Sequence, residues 1–188
     1  MQEIIEKAKQ LALAEITKFR MPKLEHFVLA NDKGQELAMA LKADKDIVLL
    51  GTMLMDLKIG QCKAENRLAE HIAESSRAAQ EFLAPFNLDP EIFKKIVSCV
   101  ELHHGGAYPN LEAEICANAD CYRFLSPAGF FNAIMIFSGR GASFSGCLDQ
   151  LESKLEEKHN ILSLDICRQE LEPYYQEFKK LIKEARSI

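Results

Sequence analysis

Six residues of this chain are candidates to hold metal together: His26, Asp56, His71, His103, His104 and Asp120. Asp56 is the one that most needs an explanation. It closes the apolar and small run Val48-Leu49-Leu50-Gly51-Thr52-Met53-Leu54-Met55. An ionised carboxylate in such surroundings is costly unless a cation or hydrogen-bond donors meet it. Lys58 is the local cation, but residues two apart do not face each other on a helix. The partner is therefore expected from elsewhere in the chain. His103-His104 is the second signal, two imidazoles ending a helix that is otherwise apolar (Ile96, Val97, Val100, Leu102), just before Gly105-Gly106. Neutral imidazole is a common metal ligand, and loops on a helical scaffold are where sites tend to sit. Carboxylate and imidazole without thiolate suit iron, manganese or magnesium better than structural zinc. His159 has no acidic or histidine companion and is expected on the surface.

The elements that must position these groups read as helices throughout. Residues 2–19 place Ile4, Ile5, Ala8, Leu11, Ala12, Ile16 and Phe19 at three- and four-residue spacing, and Met21-Pro22 breaks the pattern. A second helix from Lys23 carries His26 and is expected to stop at Asn31-Asp32-Lys33-Gly34, with a third over about 35–43. Asp44 or Asp46 caps the next, which runs through Asp56 to Gly60. Residues 64–84 form one long helix with His71 near its middle. Asp89-Pro90 is N-cap and first residue of a helix reaching about His103. Residues 111–125 carry Asp120, and 128–138, 144–159 and 165–186 complete the chain. On the helix over 144–159, Leu148, Leu151 and Leu155 form the core stripe, and Glu152, Lys154, Glu156, Glu157 and Lys158 an exposed face. Tyr174, Tyr175 and Phe178 read as packing residues. No alternating β-branched run is present, so the fold class is all-α.

At 188 residues one well-packed domain is expected. A net charge of −5 gives no basic footprint for a nucleic-acid duplex. No apolar run reaches the ~18 residues that span a bilayer, and the N-terminus has no signal-peptide pattern, so no membrane is expected and the location is expected to be cytoplasmic. The six cysteines form no CxxC pair and read as reduced, mostly core thiols.

Taken in order, His26, Met55-Asp56, Ile59-Gly60, His71, His103-His104-Gly105-Gly106-Ala107-Tyr108-Pro109 and Ala117-Asn118-Ala119-Asp120-Cys121-Tyr122-Arg123-Phe124 make residues 20–128 resemble the HD-domain metal-dependent phosphohydrolase superfamily. The likeness is to its HD-GYP branch and to small stand-alone members. Met55 stands where the doublet that names the family has His. The resemblance implies an HD-domain-like helical bundle with additional C-terminal helices. It would form one domain over 1–188, its metal-site core at about 20–128 and its extension at about 129–188.

The resemblance further implies one metal on His26, Asp56 and Asp120, and a second on His71 with His103 or His104, Asp56 bridging and catalytic. Two ions about 3.5–4 Å apart can share a carboxylate, activate a water and clamp the oxygens of a phosphate ester. The implied cofactor is one or two divalent ions, with iron, manganese or magnesium first. The implied substrate is a small phosphorylated metabolite such as a nucleotide. Lys58, Arg123 and Arg140 are the cations expected to meet its phosphate, because Arg binds two oxygens at once. A homodimer is a further expectation. Met55 opens one rival reading, a nucleotide- or signal-binding protein that has lost turnover, and the resemblance itself admits another, a di-iron oxygenase on the same scaffold.

Overall fold

The computed structural model describes residues 1–187. Ten α-helices and two 3-10 turns account for the regular structure, with no strand among the described residues. α1 (Gln2–Phe19) buries Ile4, Ile5, Ala8 and Ala12, the stripe expected from the sequence. α2 (Leu24–Leu41) is one continuous helix, a correction to the expected break at Asn31–Gly34. Gly34 does not end α2; it lets α2 approach α3. A Cβ there would lie 3.1 Å from both Val48 Cγ1 and Thr52 Cγ2.

α3 (Lys45–Leu54) starts at Asp44, whose side chain accepts the backbone N–H groups of Asp46 and Ile47. It stops short of the expected end at Gly60. Residues 55–58 form a tight turn, in which the Leu57 N–H donates to Leu54 O and the Ile59 N–H to Asp56 O. α4 (Ile59–Ala64) then sets off separately. Gly51 marks the closest crossing of α3 and α6, because a Cβ would meet Cys99 Cβ at 2.4 Å.

The long helix expected over 64–84 is instead a 3-10 turn, Leu68–Glu70, followed by α5 (His71–Leu83). His71 therefore opens a helix. A second 3-10 turn, Ala84–Phe86, leads to α6 (Pro90–Glu101), capped by Asp89 as expected. α7 (Leu111–Leu125), α8 (Pro127–Ser138), α9 (Phe144–Ile161) and α10 (Asp165–Ala185) follow.

α7 is the hub. It packs against α2, α3, α6, α8, α9 and α10, and twelve of its fifteen residues are buried. Ala113, Ala117 and Ala119 make that close packing possible, and the same burial forces Glu112, Asn118, Asp120 and Arg123 inside. Asn118 Oδ1 accepts the N–H groups of Ser163 and Leu164, which pins the α9–α10 link to the hub. All six cysteines are buried free thiols. No described helix is long and apolar enough to cross a membrane.

Candidate metal centre and substrate cavity

Asp56 sits at the turn between α3 and α4, 6% exposed, and its two oxygens serve two different neighbourhoods. Oδ2 is 2.5 Å from Arg123 Nη1. Oδ1 has no hydrogen-bond partner; it faces His103 Nε2 at 3.5 Å and His71 Nε2 at 3.7 Å, both of which also lack one. Burial pushes the Asp56 carboxyl up, but Arg123 and the two histidines outweigh it and hold the group well below the usual carboxylate range.

The histidines are oriented by the helix ends that carry them. His71 Nδ1 donates to Leu68 O at 2.8 Å, and His103 Nδ1 donates to Val100 O at 2.7 Å. Each backbone carbonyl fixes the tautomer and leaves the Nε2 lone pair pointing at Asp56, the second-sphere arrangement of metal-ligating histidines. His104 packs edge-on to both rings, and one nitrogen from each of His71, His103 and His104 lies within 4.8 Å of the others. Burial and the nearby Lys158 push the His104 imidazole down to about 3, so it is neutral and has a free lone pair at neutral pH. Burial likewise lowers His71. The three clustered imidazoles, with the orphaned Asp56 Oδ1 facing two of them, fit a divalent ion.

The other half of the expected centre is built differently. Asp120 Oδ1 is 2.6 Å from the same Arg123 Nη1 that meets Asp56, and Asp120 Oδ2 is 2.6 Å from Lys158 Nζ. Burial pushes the Asp120 carboxyl up, but Lys158 and Arg123 hold it far below its ordinary value. Lys158, 1% exposed, also lies 3.1 Å from Glu157. This corrects the expected exposed face on α9: Lys158 is a buried cation at the site. His26 is buried with Nε2 3.4 Å from Gly129 O and its ring edge-on to Phe124. It shares the cavity wall with Asp56 and Asp120, and the group of mutually close ligand atoms among the described residues, His71, His103 and His104, includes none of these three.

A cavity of about 340 Å³ opens onto these groups. Its walls include Phe19, Met21, Leu68, Phe124, Ile136 and Phe137, and its rim carries Arg20, Lys23, Lys63, Arg140 and Lys154. Of the three cations expected to meet substrate, Arg140 stands at this rim and Arg123 lies in the floor. Lys58 does not reach it; its Nζ pairs with Glu15 at 3.0 Å. Met55, 1% exposed, does not line this cavity; it lines a small void behind Asp56 and Arg123, beside Ala12, Ile16 and Phe27, so its thioether packs in the interior. His159 has the companion that the sequence did not reveal: it pairs with Glu172 at 2.7 Å and stacks on Tyr175.

A crystal structure described as a predicted HD superfamily hydrolase, from an uncultured Thermotogales bacterium, superposes on this chain with a TM-score of 0.69. The match covers 100% of this chain and 91% of that one at 13% identity. The chain therefore has the HD-domain fold. No protein-family model and no curated protein sequence matches it.

Proposed function

We propose that this chain is a metal-dependent phosphohydrolase that cleaves a phosphate ester of a small molecule, with a nucleotide the first candidate. The observation that carries the reading is the orphaned trio of Asp56 Oδ1, His71 Nε2 and His103 Nε2, buried, with the carboxylate oxygen 3.7 and 3.5 Å from the two nitrogens and Asp56 and His71 lining a cavity. A divalent ion held by Asp56, His71, His103 and His104 would supply a Lewis acid for the phosphoryl oxygens and lower the pKa of water.

The chain's own residues account for binding and orientation. Arg20, Lys23, Lys63 and Arg140 at the rim form no ion pair among the described residues, so their charge is available to an anion. The apolar wall of Phe19, Phe124 and Phe137 suits a flat apolar group such as a base attached to that anion. Asp56 and Asp120 are held ionised, so neither donates the leaving-group proton at neutral pH.

The test is phosphate release from a panel of nucleoside monophosphates and other phosphomonoesters, using protein loaded with Mn²⁺ or Fe²⁺ beside a His103→Ala control. Turnover lost in the control supports the reading. Tight nucleotide binding without release would favour the binding-protein alternative, which the capture of both carboxylates by Arg123 also suggests.

A further inference from the structure

We propose that Arg123, backed by Lys158, occupies the half of the centre where a second metal ion would sit, so that this chain holds one ion and presents a guanidinium in place of the other. The inference rests on the metal reading above and adds its stoichiometry. A second ion would need His26, Asp56 and Asp120, and all three are otherwise engaged. Arg123 Nη1 lies between the two carboxylates, 2.5 Å from Asp56 Oδ2 and 2.6 Å from Asp120 Oδ1. Lys158 Nζ takes Asp120 Oδ2 at 2.6 Å. His26 Nε2 is turned to Gly129 O.

The charge balance agrees with the geometry. Two buried carboxylates already meet two buried cations, both at most 6% exposed. A dication added on that side would meet Arg123 and Lys158 at close range in a medium that screens charge poorly. The histidine side has the opposite need. There, Asp56 Oδ1 and two imidazole nitrogens lack a hydrogen bond and stand 3.5 and 3.7 Å apart, against 2.6 Å between Asp120 and Lys158. One carboxylate thus serves two cations, a permanent guanidinium through Oδ2 and an exchangeable metal through Oδ1.

Arg123 also borders the cavity, and both carboxylate contacts come from Nη1 alone. Nη2 is left to donate to the substrate's phosphate oxygens, and the planar fork is suited to that contact. The loss of the doublet's histidine fits this arrangement. With a guanidinium in the first ion's place, position 55 has no ion to ligate, and Met55 packs into the interior. A one-ion centre also leaves no place for a di-iron pair.

The experiment is Mn²⁺ binding to the full chain, stripped with chelator and then titrated. It is read by metal analysis after gel filtration and by electron paramagnetic resonance, for the natural protein, His71→Ala/His103→Ala and Arg123→Gln. The natural protein is expected to bind one equivalent with the six-line spectrum of an isolated ion. The histidine variant is expected to bind none, and Arg123→Gln to gain a second equivalent with an exchange-coupled spectrum. Two coupled ions in the natural protein would overturn the inference and leave the hydrolase reading intact. No ion in the natural protein would overturn both. A folded Arg123→Gln that still takes one ion would show that Arg123 is not what excludes the second. If that variant does not fold, the stoichiometry and spectrum of the natural protein decide alone.

Discussion

Replacing Lys158 with methionine asks whether the site depends on internal cations. The side chain is 1% exposed and its ammonium lies 2.6 Å from Asp120, which is equally buried. Methionine keeps the length and removes the charge, leaving Asp120 with Arg123 alone. Breaking one partner of a buried pair costs about 3–5 kcal/mol. The retained Arg123 contact puts the expected loss at the low end, about 3 kcal/mol. At roughly 2–4 °C per kcal/mol for a chain of this size, Tm should fall by about 6–12 °C.

The pH dependence has a definite sign. Asp120 has a folded pKa lowered below its unfolded value, so its stabilisation is fully present above the unfolded pKa of about 3.9 and is lost as pH falls through the folded one. The gap between natural protein and variant should therefore be full at pH 7 and should shrink below about pH 4. The assay is urea unfolding in chelator at several pH values, followed by circular dichroism. A gap under about 1 kcal/mol at pH 7, the range of surface ion pairs, would refute the buried-cation account. So would a gap that widened toward acid.

Other substitutions separate the rim from the scaffold. Arg140→Ala should raise KM for a phosphorylated substrate about 2–10-fold, corresponding to about 0.4–1.4 kcal/mol, with little change in kcat if the residue only gathers the anion; steady-state kinetics at two salt concentrations checks this. Lys58→Ala should leave kcat/KM within about twofold and cost under about 1 kcal/mol of stability, because its partner is Glu15; a larger kinetic loss would restore the substrate role. Gly51→Ala should destabilise the fold by at least about 1–3 kcal/mol, since the new methyl would lie 2.4 Å from Cys99 Cβ; thermal unfolding reads this directly.

Local signals in the sequence located most of this architecture. Asp44 and Asp89-Pro90 marked helix starts because capping is decided within a few residues. Asp56 and His103-His104 stand out through their cost in apolar surroundings, whereas His26, His71 and Asp120 enter as candidate ligands only through the family resemblance. What local reasoning missed depended on partners far along the chain. Gly34 reads as a helix stop until Val48 and Thr52 are seen against it. Asp56 needed a break after α3 that no Gly or Pro announced. Lys158 reads as solvent-facing among neighbouring charges, although Leu148, Leu151, Leu155, Lys158 and Leu162 continue a single three- and four-residue stripe. That stripe was the available signal, and its meaning depended on Asp120, which lies 38 positions earlier (158 − 120). Arg123 was recognised as a cation one turn beyond Asp120, but Asp56 as its second partner was not.

The proposed divalent ion sits where Asp56 Oδ1 meets the histidines. Anomalous diffraction from crystals grown with Mn²⁺ tests it most directly. One peak is expected, bounded by Asp56 Oδ1, His71 Nε2 and His103 Nε2, with Arg123 still bridging Asp56 and Asp120. No peak there at saturating metal, or a peak between the two aspartates with Arg123 displaced, would contradict it.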